Sequence, residues 1–79
     1  MDLAKKLKKL RIRNNLSMSE VARLSLRAAD PRGTITQGYI SRLESGQETN
    51  PSMQKVVTLC RIYHVEPNDL FPKMSRKRA

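Results

Sequence analysis

In the stretch TITQGYISRLESG, Gln37, Gly38, Ser41 and Arg42 fall at spacings that place them on one side of a short helix. A Gln amide pairs bidentately with adenine and an Arg guanidinium with guanine, each good pair giving about 1 to 3 kcal/mol of discrimination, so this side has chemistry suited to base edges. Gly38 adds no side chain and lets backbone approach closely. Thr36 and Tyr39 carry hydroxyls that suit phosphate oxygens, and Tyr39 suits packing equally well.

Such a helix needs a scaffold, and the flanking residues supply its signals. Ile40 and Leu43 lie opposite the polar side, Thr36 is a natural N-cap, Ile35 and Ile40 stand where a hydrophobic staple requires them, and Gly46 suits the C-terminal stop, which predicts a helix over 37–44. Upstream, Ser17 and Glu20 form an S-x-x-E capping box, so a second helix starts at Met18 with Val21, Ala22 and Leu24 inward. Between these two, RAADPRG interrupts: Pro31 disfavours helix at Asp30, and Gly33 supplies a flexible turn.

Three further helices complete the pattern. Leu3, Leu7 and Leu10 mark an amphipathic helix over about Leu3 to Arg13, ended by Asn14 and Asn15. Asn50 and Pro51 read as the start of another, along which Met53, Val56, Val57, Cys60 and Tyr63 keep helical spacing. EPNDLF suggests a last short helix with Pro67 in its first turn, Leu70 and Phe71 as anchors and Pro72 as the stop. The fold class expected is all-α, five short helices around one small core. Two of them joined by a turn form a helix-turn-helix, whose second helix presents its early residues to the major groove.

Charge and composition narrow the function. The 79 residues carry a formal net charge of +9 and are 38% hydrophobic, which suits one small domain and disfavours a deep-pocket enzyme. Lys5, Lys6, Lys8, Lys9, Arg11 and Arg13 crowd the start against Asp2 alone, Lys73, Arg76, Lys77 and Arg78 crowd the end, and charges between them balance. A basic excess points to polyanions. Membrane attachment through the lysine-rich first helix is disfavoured, because its leucine stripe is narrow and the core needs it. There is no Gly-rich phosphate loop and no catalytic Ser and His arrangement, so no enzyme is expected. Cys60 and His64, at i and i+4, fall short of a zinc site, and neither metal nor cofactor is expected. One cysteine makes no internal disulfide, and with no apolar leader or long apolar run a soluble, cytoplasmic and nucleoid-associated protein is expected.

Taken together, RIRNNLSMSEVARL, TQGYISRLESG and NPSMQKVVTLCRIYHVEPNDLF resemble the XRE family, the Cro and phage-repressor type of helix-turn-helix, over roughly Leu3 to Phe71. L-S-x-x-E-V-A, Y-I-S-R-L-E-S-G, N-P-S and a closing D-L-F carry the likeness jointly. It implies a lambda-repressor-like domain over 1–71 followed by a basic tail, 72–79. It also implies base contacts by Gln37, Gly38, Ser41 and Arg42 and an ion pair between Arg11 and Glu44. Phosphate contacts are expected from Ser17, Ser19, Thr36, Tyr39, Gln47, Thr49 and Asn50.

The sequence departs from the family pattern in three places. Met18 replaces a phosphate-gripping glutamine, the loop SGQETNPS carries Glu48 and no cation, and the turn between the two central helices is roughly eight residues longer than the 3 to 4 typical of the motif. The inserted turn, 26–34, either runs beside the DNA backbone with Arg27 and Arg32 as substitute phosphate contacts or is a solvated loop. The function implied is a sequence-specific, prokaryotic or phage-type transcriptional regulator, a repressor, bound to double-stranded DNA. Its operator would be two-fold symmetric and its state a homodimer at least on DNA. The rival is an antitoxin-type module that binds a protein toxin and regulates its own operon.

Overall fold

The computed structural model describes residues 3–70. Among them are five α-helices, α1 (Leu3–Arg13), α2 (Met18–Ser25), α3 (Gln37–Ser45), α4 (Met53–Tyr63) and α5 (Pro67–Leu70), with one 3-10 turn at Pro31–Gly33 and no strand. The fold is all-α, as the periodicities require. The Phe71 anchor, the Pro72 stop and the tail 72–79 lie outside the described residues.

Each helix begins and ends for a local reason. α1 closes when Asn15 turns left-handed at φ 58°, and its N–H and that of Leu16 then satisfy the Ile12 and Arg11 carbonyls, at 2.9 and 3.1 Å. The Asn14 side chain donates to the Leu10 carbonyl at 2.7 Å. At α2 the capping box is reciprocal: Ser17 Oγ accepts the Glu20 N–H at 3.1 Å, and Glu20 Oε1 accepts the Ser17 N–H at 2.7 Å. α3 is capped by Thr36, whose hydroxyl accepts the Tyr39 N–H at 3.1 Å, and stopped by Gly46 at φ 87°. It runs one residue beyond the expected 37–44.

One buried cluster joins the helices: Leu7, Val21, Ile35, Ile40, Leu43, Val56, Leu59, Cys60, Tyr63 and Leu70. Ile35 and Ile40 both enter it, as a staple should. Four expectations need correction. Asn50 and Pro51 do not open α4; Ser52 does, its hydroxyl accepting the Lys55 N–H at 3.3 Å. Met53 and Val57 stay exposed, at 54% and 45%, while Thr58 and Leu59 take the inward positions. On α2 the inward pair is Val21 and Ser25, one turn apart, and Leu24 is only half-buried.

The fourth correction is Gly33. Its place is set by close approach and not by flexibility, because a Cβ there would strike Thr58 Oγ1 on α4 and come within 3.0 Å of the Gln54 carbonyl. The insertion is accordingly an ordered brace against α4. Asp30 caps its 3-10 turn through the Arg32 N–H at 2.9 Å, and Lys55 Nζ donates to the Arg32 carbonyl at 3.2 Å.

Candidate nucleic-acid interface

The amphipathic division of α3 sets out the candidate surface. Ile40 and Leu43 are buried, so Gln37, Gly38, Ser41 and Arg42 are all solvent-exposed. Arg42 leans over the Tyr39 ring, 5.5 Å from its centre, and a Cβ on Gly38 would sit 3.8 Å from its guanidinium. Nothing in the fold requires glycine at 38, where it costs helix stability of roughly 0.5 to 1 kcal/mol, so the bare backbone is available to a close ligand. Burial raises the Tyr39 phenol above its ordinary pKa, with Glu48 adding to the effect and Arg42 opposing it. The hydroxyl is therefore a neutral donor at physiological pH.

Lys55 joins this group, although nothing in its own stretch of sequence sets it apart. Its ammonium lies 5.4 Å from the centre of the Tyr39 ring, in the first turn of α4. Only the folded arrangement reveals it, since residues 39 and 55 have no periodic relation. Tyr39 is thus flanked by two cations, which hold the ring by cation–π attraction.

Of the other expected phosphate contacts, Ser17, Ser19, Thr36, Gln47, Thr49 and Asn50 are all exposed. Ser17 and Ser19 bring their hydroxyls within 3.2 Å at the start of α2, where its backbone N–H groups favour anions. The loop after α3 folds back on the helix: the Glu48 N–H reaches the Arg42 carbonyl at 3.0 Å, and its carboxylate accepts the Asn50 N–H at 3.3 Å. Glu48 is thereby engaged in holding the loop.

The two arginines of the insertion are placed otherwise. Arg32 donates to both oxygens of Asp30, with its shortest contact at 2.7 Å, so the pair is locally neutral although Arg32 is 74% exposed. That pairing also holds the Asp30 carboxyl below its ordinary pKa. Arg27 stands on the wall of a groove against α4 that Asp30 also lines.

Behind α3, Arg11 and Glu44 meet in a bidentate pair, 2.7 Å from Nε to Oε2 and 3.0 Å from Nη2 to Oε1, with side chains only 13% and 4% exposed. Arg11 Nη1 also donates to the Leu16 carbonyl at 3.0 Å, so one guanidinium ties α1, the following turn and α3 together. The hydrogen bonds to Glu44 raise the Arg11 pKa further. Ser25 does comparable work between α2 and α3, with its buried hydroxyl accepting the Ile35 N–H at 2.8 Å and facing the Ala22 and Ile35 carbonyls at 2.6 and 3.1 Å. A serine in an apolar register was the available signal.

Two short helices joined by a turn, the second exposed on its polar side, have the helix-turn-helix arrangement. A helix-turn-helix family model matches residues 7–70. The chain belongs to the helix-turn-helix family, of the XRE and Cro type. No curated protein and no solved structure matches it. Within this helix-turn-helix, α2 and α3 are the paired helices, and the lengthened connection spans residues 26–36. The chain has the lambda-repressor-like fold and is a DNA-binding regulatory domain. Among the described residues, no helix of the helix-turn-helix domain is long and apolar enough to cross a membrane, and no His, Cys, Asp and Glu cluster is arranged to hold a metal. Cys60 is buried with its thiol pKa pushed up by desolvation, while His64 is exposed at the left-handed end of α4.

Proposed function

We propose that the protein is a sequence-specific repressor of transcription that inserts α3 into the major groove of double-stranded DNA. The exposed set Gln37, Gly38, Ser41 and Arg42, on a helix whose opposite side is buried, carries this reading. Gln37 and Arg42 read bases with Ser41, while Gly38 lets the backbone close in. Ser17, Ser19, Thr36, Tyr39, Gln47, Thr49 and Asn50 fix register on phosphates, and Lys55 adds a cation beside Tyr39. Arg27 and Arg32 are left out of this set, given the pairing of Arg32 with Asp30 and the place of Arg27 on the α4 groove.

In this reading two copies occupy a two-fold operator with recognition helices about 34 Å apart, one turn of DNA. Selection of bound duplexes from a random pool tests the whole proposal. A two-fold pattern with half-sites one turn apart is the expected result; recovery of duplexes with no shared sequence overturns it.

A further inference from the structure

The insertion builds something the DNA reading does not use. The end of α2 and the insertion form one wall of a groove of about 530 Å³, with Leu24 and Ala28 among its residues, and α4 forms the other with Met53, Val57 and Ile62. Met53 and Val57 are the exposed apolar residues of α4, and Arg61 follows at the same four-residue spacing. This stripe runs about 12 Å along the helix at 1.5 Å per residue, or a little over two turns.

Its charge is one-sided. Arg27 lies on the α2 wall and Arg61 on the α4 wall, and neither guanidinium has a hydrogen-bond or ion-pair partner among the described residues. Asp30, the carboxylate among the lining residues, is already held by Arg32. An apolar floor between two unpartnered cations suits an occupant with an apolar stripe flanked by carboxylates. A second copy of this chain fits badly, since it would set Arg27, Arg61 and a formal charge of +9 against their like. A duplex offers no apolar stripe for Met53 and Val57.

We propose that the groove between the insertion and α4 is a docking site for an acidic amphipathic helix of a partner protein. The apolar side of that helix lies on Met53, Val57 and Leu24, and its flanking carboxylates meet Arg27 and Arg61, the helix-in-groove mode of recognition. The role of the lengthened turn is then to raise the second wall. Because Gly33 of the insertion abuts Thr58 and Gln54 of α4, the two walls of the groove are packed on each other at their base.

The test uses the full chain and two synthetic helices of about three turns. Both carry a leucine stripe, flanked by glutamates in one and by lysines in the other. The glutamate helix should shift the amide resonances of Leu24, Ala28, Met53, Val57 and Ile62, and the lysine helix should not. Arg27→Glu with Arg61→Glu should weaken the glutamate helix about tenfold and admit the lysine helix, with the salt slope of DNA binding unchanged. Val57→Asn, at an exposed position, should weaken the glutamate helix without altering charge. Unchanged affinity in these variants, or shifts centred on the α1 lysines, overturns the proposal. So does a DNA salt slope smaller by about two in the charge-reversed variant, which would make the arginines phosphate contacts. A dimer seen by sedimentation without peptide and lost in Val57→Asn would give the groove to a second copy and overturn it as well. The peptide readouts use no DNA, so their failure leaves the DNA proposal standing, and a chain that selects no operator leaves them readable.

Discussion

Arg11 grips Glu44 through two hydrogen bonds of 2.7 and 3.0 Å, fastening α1 to the last turn of α3. With both side chains largely withdrawn from water, removing one partner strands a charge at a cost of about 3 to 5 kcal/mol. Arg11→Met alone and Glu44→Leu alone should each cost that much in urea unfolding. The double variant should recover most of the loss, because an apolar pair of similar volume leaves no charge behind. Simple addition of the two losses would mean that the residues act independently.

Base readers and phosphate contacts separate by experiment. Gln37→Ala should cost about 1 to 3 kcal/mol on the preferred site and relax preference at one base position. Lys55→Gln should weaken all sequences alike and reduce the salt slope by about one. An unaltered ranking of binding sites in Gln37→Ala would remove Gln37 as a reader.

Gly33→Ala should destabilise by about 1 to 3 kcal/mol through overpacking against Thr58 and the Gln54 carbonyl. Adding Thr58→Ala should return part of that loss by vacating the nearer contact. Thermal unfolding of the three variants checks it. Full stability in Gly33→Ala alone would show that the insertion is not seated on α4.

The capping box makes an acid-side prediction. The Ser17 backbone and hydroxyl hold the Glu20 carboxyl below its ordinary pKa. A depressed folded value means stability present above the unfolded pKa, about 4.3, and lost as pH falls through the folded value below it. Glu20→Gln should therefore flatten the melting temperature in that window and leave the difference between pH 6 and pH 8, a range about two units above any carboxylate value, unchanged.

Much of this was legible in the residues. Capping boxes, staples and apolar spacing are local, so α1, α2, α3 and the outward set on α3 follow from neighbours within a turn or two. The misread positions depend on distant partners. Gly33 reads as a flexible turn in the sequence because Thr58 and Gln54, which it abuts, lie far along the chain. On α4, Met53 and Val57 keep helical spacing with Val56, Cys60 and Tyr63, yet the stripe is wider than the core beneath it, and its edge stays in water. At its start Asn50 and Pro51 give way to Ser52, whose hydroxyl holds the Lys55 amide.

Ser25 and Ile35 bring together the two ends of the long connection, at its neck. That clasp closes the connection into a loop whose far side is seated on Thr58 and Gln54 of α4 through Gly33, so the bearing of α3 is set at two points, the neck and the seat. Ser25→Ala, which leaves the buried Ile35 amide without its acceptor at about 1 to 3 kcal/mol, should loosen that bearing as well as the fold. Extra residues grafted between Ala28 and Asp30, on the groove wall, should disturb the seat of Gly33 on α4 while the neck still closes.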